Sequence, residues 1–496
     1  MRLYLVFLIY LLSSCSISKT DKVNIEQVLS MSGENRSELE KVLEYYKNDT
    51  LKLKAAQYLI LNMPFHFSKV EYFLSPEGEQ YRLDTRKFPN EHAVKRHCDS
   101  LRAKGYRIER KIIYDNKALR SDFLIQNIEL AFDAWKKPWA RETSFNDFCR
   151  YILPYRSQNE EISNLREKLM HKYMPLLDSA KVWNSLDACM IINKLLEEKL
   201  HNKETGSPLQ PTINETDQTG IGNCEVLSNY TAFLMRAVGI PVAIYQTTWT
   251  RIDFGHNWCG VLYDGKFHDF NPGDPDNYRE LMGTDYFLQP AKIYRRHFDS
   301  SLPNLSNDDG YVTFLKNPQF VDVTKEEMLP TYTLRIPTNK KGINKSNLVY
   351  LCTYNDKQWR PIAIGKREGD ICQFDHVAGR SFFIVAEAVN KYDLRYISAP
   401  VLTDLNGKIR SLVPNLSHRV PLTYKRKAGT GSLPLYYWDT KSEHFEEIPY
   451  KKLTDSTQVY DNIPDNALLL CTIKNSTTWL KTGIAINGEF LDNTKF

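Results

Sequence analysis

A cysteine, a histidine and an amide side chain lie close together in residues 220–276. Cys224 follows two glycines and precedes apolar residues at helical spacing, so the sequence predicts that it lies in the first turn of a helix. Unpaired backbone N–H groups and the positive end of the helix dipole lie at this position and favour a thiolate. The same N–H groups can stabilise an oxyanion. A thiol in this setting is a candidate nucleophile if a base lies beside it.

His256 is the candidate base, because it is predicted to begin a strand that returns through an Asp264-Gly265 hairpin. Side chains alternate between faces, and the two-residue turn makes Asn271 a diagonal neighbour of His256, within ~7–8 Å at Cβ. Asp269 would lie on the same face but roughly 13 Å away. We therefore favour Asn271 as the group that orients the imidazole. Asp269 stays an alternative, and so does Asp274 if the chain bends back after the hairpin.

This segment resembles the transglutaminase-like superfamily of papain-like cysteine enzymes over roughly residues 160–300. The matching motifs are Gly222-x-Cys224, residues 233–242, Gly255-His256-x-Trp258 and residues 264–272. The resemblance implies that Cys224 is the nucleophile and that His256 is the base. Gln218, six residues before the cysteine, is either an oxyanion donor, as in papain-like enzymes, or a solvated loop residue. The family usually has Asp where this chain has Asn271, and a small or aromatic residue where it has Glu225.

The whole chain has 496 residues and is predicted to be an α+β protein with several domains. Residues 16–160 carry helical periodicity, and residues 161–305 form the papain-like, transglutaminase-like core. After about residue 310 the apolar pattern changes to a period of two, which is typical of strands. Residues 315–410 and 411–496 are therefore predicted to be two β-rich, β-sandwich-like domains.

Residues 1–15 are predicted to be a lipoprotein signal peptide. One arginine precedes an apolar run that is short for a membrane span, and the Leu-Ser-Ser-Cys sequence that ends at Cys15 resembles a bacterial lipobox. The alternative is an ordinary secretory signal with a chance cysteine. Lipidation of Cys15 implies a protein exported from the cytoplasm and anchored to the membrane, and Ser16 favours the outer membrane by resemblance to known lipoproteins.

Composition and spacing exclude several other classes of protein. A net charge of +5, spread along the chain, gives no nucleic-acid-binding surface. No metal-ligand spacing is present and no cofactor is predicted; His256 and Cys259, the nearest pair, point to opposite faces of one strand. The scattered cysteines are expected to be mostly buried thiols. Trp359 and residues 436–438 suggest either a glycan platform or, more commonly, core aromatics.

Two functional hypotheses follow. The first is an exported, membrane-tethered cysteine enzyme that cleaves amide or peptide bonds of a peptide, protein or cell-wall substrate through a thioester. Hydrolysis is favoured over amine transfer because bacterial members of the resembled family are often hydrolases. The alternative is a non-catalytic lipoprotein with a degenerate core that binds glycan or peptide. Asn271 and Glu225, which depart from the family pattern, support the alternative.

Overall fold

The protein is described by a computed structural model. It covers residues 24–250, 254–274, 290–299, 311–327, 330–338, 340–343, 347–404, 406–425, 434–454, 457–472, 480–486 and 489–492. The proposed lipidation site Cys15 lies outside these residues. Among the described helices, none has the length and apolar character needed to cross a membrane. The fold is α+β, with a mainly helical N-terminal region and a β-rich C-terminal region, as predicted.

The helices of the first half of the chain are α1 (Ile25–Met31), α2 (Arg36–Tyr45), α3 (Thr50–Asn62), α4 (Glu91–Ala103), α5 (Ser121–Trp135), α6 (Phe145–Tyr151), α7 (Leu165–Ser179), α8 (Ser185–Glu197), α9 (Ile213–Thr219) and α10 (Cys224–Ala237). Several begin where the sequence places a capping residue. The Asp49 side chain accepts the N–H groups of Leu51 and Lys52, and the Asn90 side chain accepts that of Ala93. The caps therefore fix the starts of α3 and α4.

The N-terminal region also contains a small sheet that the helical prediction missed. Strands β1 (Phe67–Leu74), β2 (Gln80–Tyr81) and β3 (Arg107–Tyr114) form an antiparallel sheet in the order β2-β1-β3. Strand β3 contains a run of charged residues, and Arg107, Arg110 and Lys111 are exposed. Ile112 and Tyr114 of the same strand are exposed as well, and the strand pairs with β1 over its full length.

A central antiparallel sheet carries the candidate site residues. Two short strands, β4 (His201–Asn202) and β5 (Ile221–Gly222), pair just before α10, and the central sheet follows with strands β6 (Val242–Trp249), β7 (Gly255–Tyr263), β8 (Lys266–Phe270), β9 (Pro290–Arg296) and β10 (Phe320–Asp322). The strand order is β10-β9-β6-β7-β8. One face packs on α10 and the helical core through Ile244, Cys259 and Val261. Tyr245 and Trp258 lie in a second cluster on the opposite face.

The rest of the described chain consists almost entirely of strands. After the short helix α11 (Thr324–Glu327), one sheet contains β11 (Thr331–Pro337), β12 (Leu348–Asn355), β13 (Gln358–Glu368), β14 (Ile371–Ala378), β15 (Phe382–Ala388), β16 (Leu394–Tyr396), β17 (Val401–Thr403) and β18 (Ile409–Ser411). Two further sheets pack together as a sandwich: β19 (Asn415–Lys425), β22 (Tyr450–Thr454) and β23 (Thr457–Asp465) face β20 (Leu435–Asp439), β21 (His444–Ile448), β24 (Leu468–Thr472), β25 (Leu480–Ile486) and β26 (Glu489–Asp492). The period-two pattern thus predicted the strands correctly.

The aromatic residues proposed as a glycan platform belong largely to the core. Trp359 and Trp438 are 5% and 4% exposed and pack edge to face, with ring centroids 5.6 Å apart. They join the first β-rich sheet to the sandwich. Tyr436 and Tyr437 are half-buried on β20. The two tryptophans therefore form part of the packed interior, which is the alternative that the sequence left open.

Candidate functional site

Local sequence fixes the start of the helix that carries the cysteine. Gly220 ends α9 with a φ of 66°, and a Cβ at this position would lie 1.9 Å from the backbone oxygen of Lys199. Only glycine fits there without displacing the backbone. Asn223 then caps α10, because its side chain accepts the Val226 N–H at 3.1 Å. Cys224 is consequently the first residue of α10, as predicted.

Cys224 differs from the other described cysteines in its exposure. It is half-buried, whereas the other cysteines with described side chains are buried and unpaired: Cys98, Cys149, Cys189, Cys259, Cys352 and Cys372. Burial raises the pKa of each of these six thiols, to about 12 at Cys149 and Cys259. Cys224 is therefore the thiol in the described part of the chain that is most open to a reagent.

Burial also raises the pKa of the Cys224 thiol above its ordinary value. The backbone N–H groups of Asn257, Glu225 and Cys224 itself oppose this rise, and the Glu225 carboxylate adds to it. The N–H donors of the helix start are present, but removing the thiolate from water costs more than they supply.

His256 lies on β7 between two indole rings and one amide. Its ring stacks with Trp249 and Trp258 at centroid distances of 5.9 and 5.8 Å, and its Nε2 lies 3.1 Å from Oδ1 of Asn271. An amide oxygen only accepts hydrogen bonds, so Nε2 carries the proton and Nδ1 keeps its lone pair. Burial lowers the pKa of His256, and the Asn271 hydrogen bond opposes this. The resting imidazole is therefore a neutral base.

The thiol and the imidazole are connected through one peptide unit. Asn257, whose N–H group faces the Cys224 sulfur, directly follows His256 on β7. Within the described residues no hydrogen bond joins the sulfur to the ring. Catalytic hydrogen bonds are often long in the absence of substrate and shorten when it binds. Proton transfer between these two neutral groups would accordingly accompany substrate binding.

The predicted hairpin register is confirmed, and it determines which candidate reaches His256. Asp264 and Gly265 both have positive φ, 49° and 69°, as a type I′ turn requires. The resulting register brings Asn271 to the imidazole and leaves Asp269 farther along β8. Asp269 is largely buried there, and burial raises its pKa to about 7. Asp274 pairs with the backbone of Asn271.

A buried asparagine that could not be identified from the sequence binds the backbone on either side of Pro272 and so holds Asn271 in place. Asn193, on α8, donates its Nδ2 to the Asn271 carbonyl oxygen at 3.0 Å and accepts the Gly273 N–H with Oδ1 at 2.8 Å. Its side chain is 3% exposed. A polar residue on the apolar stripe of α8 was the available signal, because buried amides need partners. Asn193 thereby fixes the backbone that presents Asn271.

A second missed residue lies on the β-rich side of the molecule. Asn355, at the end of β12, donates Nδ2 to the carbonyl oxygens of Trp249 and Phe254 at 2.9 and 2.8 Å. Its Oδ1 accepts the Phe254 N–H at 3.3 Å. Phe254 has a φ of 109°, which is rare for a residue with a side chain, and it lies two residues before His256. The β-rich region thus holds the chain that leads into the candidate base.

The structure does not bring Gln218 to the cysteine. Gln218 is exposed on α9, and its Oε1 accepts a hydrogen bond from the Arg86 side chain. The backbone N–H groups around the Cys224 sulfur are closer candidates for holding an oxyanion. Among the residues described, no group of His, Cys, Asp and Glu side chains is arranged to hold a metal ion.

A polar cavity of about 400 Å³ lies beside the start of α10. Glu225, the residue after Cys224, lines it together with Asn229 of the same helix. Gln246 and Arg296 line it from β6 and β9. The cavity is large enough for one amino-acid residue of a substrate. Cys224 is not among its lining residues, but Glu225, which directly follows Cys224, is.

No protein-family model matches the chain, and no curated protein matches it. A candidate cysteine protease from Cytophaga hutchinsonii is similar in structure, with 15% identity and a TM-score of 0.19 over 23% of this chain and 37% of that chain. The match thus spans little more than a third of that protein. The transglutaminase of red sea bream has 10% identity and a TM-score of 0.19, with 85% of each chain covered. Proposals about function therefore depend on the geometry of the site.

Proposed function

We propose that this protein is a transglutaminase-like cysteine enzyme that cleaves amide or peptide bonds through a thioester on Cys224. The hydrogen bond from His256 Nε2 to Asn271 Oδ1 is the observation that carries the proposal. It places the ring proton on Nε2, so that Nδ1 is left as a base. That base lies on the strand whose next residue, Asn257, directs its N–H at the Cys224 sulfur.

In the proposed reaction, Cys224 transfers its proton to Nδ1 of His256 and the sulfur attacks the substrate carbonyl carbon. Backbone N–H groups at the start of α10 stabilise the oxyanion. The C–N bond then breaks, the leaving amine takes the proton from His256, and a thioester remains. Water attacks this thioester, gives a proton to His256, and releases a carboxylic acid and the free thiol. We propose hydrolysis over transfer to an amine, as is common among bacterial enzymes of the resembled family.

Alkylation with iodoacetamide tests the thiol–imidazole pair directly. The modified residue is located by mass spectrometry, and rates are compared for the wild type, His256→Ala and the control His268→Ala on the same hairpin. We expect selective modification of Cys224, slowed about tenfold or more by His256→Ala only. Modification of Cys224 at the rate of a free peptide thiol, unchanged in His256→Ala, would refute the proposal. A screen of peptide, amide and cell-wall substrates then identifies the bond cleaved.

A non-catalytic protein that binds peptide or glycan is the second candidate function. The specific observation in its favour is that Cys224 and His256 are both uncharged at rest and share no hydrogen bond within the described residues. The alkylation experiment separates the two functions, because a binding protein needs no dependence of Cys224 reactivity on His256.

We further propose that the protein is exported and anchored to the membrane, in the outer membrane, through lipidated Cys15. The proposal comes from the lipobox-like sequence of residues 12–15. Expression of the wild type and Cys15→Ser in a bacterium with a lipoprotein pathway, followed by membrane fractionation and mass spectrometry of the N-terminus, tests it. Diacylglyceryl-modified Cys15 and membrane association that is lost in Cys15→Ser are expected. An unmodified N-terminus would contradict the anchor.

A further inference from the structure

The polar cavity beside Cys224 has walls of different chemical character. One wall is the first part of α10, with Glu225 and Asn229 one helical turn apart on the same face. The opposite wall is the edge of the central sheet, where Arg296 of β9 lies. A charged hydrogen-bond donor and two acceptors therefore line the same space of about 400 Å³. The other charged residues in its lining are Lys69, Glu71, Arg82, Glu160 and Glu161.

Arg296 has N–H groups in this cavity that form no hydrogen bond within the described part of the chain. Its side chain is 8% exposed, and Nη2 donates to two neutral oxygens, Asn159 Oδ1 at 2.9 Å and Gln319 Oε1 at 3.1 Å. In the part of the chain that the structure describes, it forms no ion pair, and its Nε and Nη1 donate to no residue. A buried guanidinium without a carboxylate is costly unless an anion completes it. The guanidinium is thus suited to a carboxylate, which can accept a charge-assisted hydrogen bond from the free Nε or Nη1.

Arg296 shares this part of the molecule with a second buried arginine. Burial lowers the pKa of Arg296 to about 10, while the carboxylates of Glu160 and Glu225 favour its charged form from beyond ion-pair distance. Arg236 is also buried and donates to the carbonyl oxygens of Val242 and Arg156 rather than to a carboxylate. Among the described residues, neither guanidinium therefore has a carboxylate in direct contact.

The helix wall offers the opposite chemistry. Asn229 has a buried Oδ1 with no hydrogen-bond partner among the described residues. The Glu225 carboxylate has one long contact, from Gln210 Nε2 to Oε2 at 3.3 Å. Two acceptors on one helix face, one of them charged, suit a group that carries several N–H donors and a positive charge, such as an ammonium.

We infer that this cavity binds the free α-amino-acid group of the substrate, with its carboxylate on Arg296 and its ammonium on Glu225 and Asn229. The inference rests on the proposed function in that the bond cleaved by Cys224 lies on the side chain of this amino acid. A ligand with only one charge would satisfy one wall and leave the other unpaired. A zwitterion completes both walls without changing the net charge of the site.

Binding measured without catalysis tests this inference separately from the enzyme proposal. Isothermal titration calorimetry is done on full-length Cys224→Ser, which keeps the cavity and removes the nucleophile. The probes are L-glutamine and Nε-acetyl-L-lysine, which carry a side-chain amide at two lengths, and each is also used with its amino group acetylated, with its carboxylate amidated, or with both. We expect saturable binding of the free amino acids, weakened by about tenfold to a hundredfold by either block.

Variants of the cavity residues show which wall binds the carboxylate of the probe and which binds its amino group. Arg296→Gln should bind the free and the amidated probe equally, because the carboxylate has lost its partner, while it still discriminates against acetylation. Glu225→Gln should bind the free and the acetylated probe equally, because the ammonium has lost its partner, while it still discriminates against amidation. Arg295→Gln is the matched control, since this neighbouring residue faces the other side of the sheet and pairs with Glu326. Arg296→Lys keeps the charge but replaces the guanidinium donors with one ammonium, and it should show an intermediate loss.

The outcomes are distinct. No saturable binding of either free amino acid up to about 10 mM overturns the inference, as does equal binding of the free and blocked probes. Equal losses on amidation in the wild type and in a folded Arg296→Gln also overturn it. If Arg296→Gln does not fold, the blocked probes on the parent protein still decide the question. Loss of alkylation selectivity at Cys224 would instead refute the enzyme proposal and leave the cavity result intact.

Discussion

Asn355 binds both backbone polar groups of Phe254, accepting its N–H at 3.3 Å and donating to its carbonyl oxygen at 2.8 Å. The two residues are about a hundred positions apart, and Asn355 is 3% exposed. Phe254 has a φ of 109°, a conformation that persists only where surrounding contacts enforce it. Because His256 follows two residues later, the β-rich region takes part in positioning the candidate base.

Asn355→Ala should therefore uncouple the imidazole from the thiol. We expect Cys224 alkylation to lose most of its dependence on His256 and to follow the pH profile of an unassisted buried thiol. The free energy of unfolding should fall by about 1–3 kcal/mol, because buried backbone groups lose their partner. Urea denaturation and the pH profile of alkylation measure the two effects. Asn390→Ala, which removes an exposed local turn contact, is the control. An unchanged pH profile would show that Asn355 serves stability alone.

The local parts of the site could be predicted from sequence, because short-range chemistry determines them. Glycines and an asparagine cap fixed the start of α10 at Cys224, and the Asp264-Gly265 turn fixed the register that brings Asn271 to His256. Each of these features depends on residues close together in the chain. The period-two pattern likewise predicted the C-terminal strands, since one face of each sheet is buried.

The contacts that support the site could not be predicted, because they join distant segments. Asn193 and Asn355 each reach the site from about eighty to a hundred residues away, and neither has a neighbour in sequence that signals its partner. The net direction of the Cys224 pKa shift could not be predicted either. It depends on how deeply the thiol is buried by the surrounding fold, and a helix-start pattern contains no information about that depth.

Replacing Asn271 with Asp should strengthen the candidate pair. A carboxylate on Nε2 raises the pKa of His256, because it stabilises the imidazolium, and the imidazolium in turn favours the thiolate. We expect Cys224 in Asn271→Asp to react about tenfold faster with iodoacetamide at neutral pH, and Asn271→Ala to react more slowly than wild type. Titration of the His256 ring protons by NMR measures the pKa directly. Asp269→Asn and Asp274→Asn should leave both quantities unchanged; a comparable effect of either would transfer the orienting role to that residue.

Acid should destabilise the protein through its buried histidines, and His297 offers a defined test. Burial, then the neighbouring Arg295, lowers the pKa of His297 to about 4, although Asp299 opposes this. The unfolded chain takes up the proton below pH ~6.5 and the folded chain only near pH 4, so the stability gained from the neutral ring is present above ~6.5 and lost between these values. Relative to His297→Gln, the wild type should lose about 1 kcal/mol per pH unit over that range in urea denaturation.

The exposed His171 supplies the comparison for that measurement. Its side chain is 80% exposed, so His171→Gln is the control for replacing a histidine by glutamine outside the buried interior. The comparison matters because buried carboxyl groups act in the opposite sense. Burial raises the pKa of Asp115 to about 6. The contribution of this carboxyl group to the free energy of unfolding therefore falls as the pH rises toward 6. A pH dependence that is identical in wild type and His297→Gln would mean that the pKa of His297 is the same in the folded and unfolded protein, which contradicts the prediction.

Two glycines with the same backbone conformation allow the cost of left-handed backbone strain to be measured separately from the cost of a steric clash. Gly220 and Gly265 have φ values of 66° and 69°, but a Cβ at Gly220 would lie 1.9 Å from the Lys199 oxygen, whereas nothing lies within 4 Å of one at Gly265. Gly265→Ala should therefore cost about 1–2 kcal/mol of unfolding free energy, the left-handed strain alone. Gly220→Ala should cost at least ~2 kcal/mol more and slow Cys224 alkylation, because the backbone that starts α10 must move. Equal costs in urea denaturation would mean that the backbone at Lys199 moves aside without cost, and that the Asn223 cap sets the start of α10 instead.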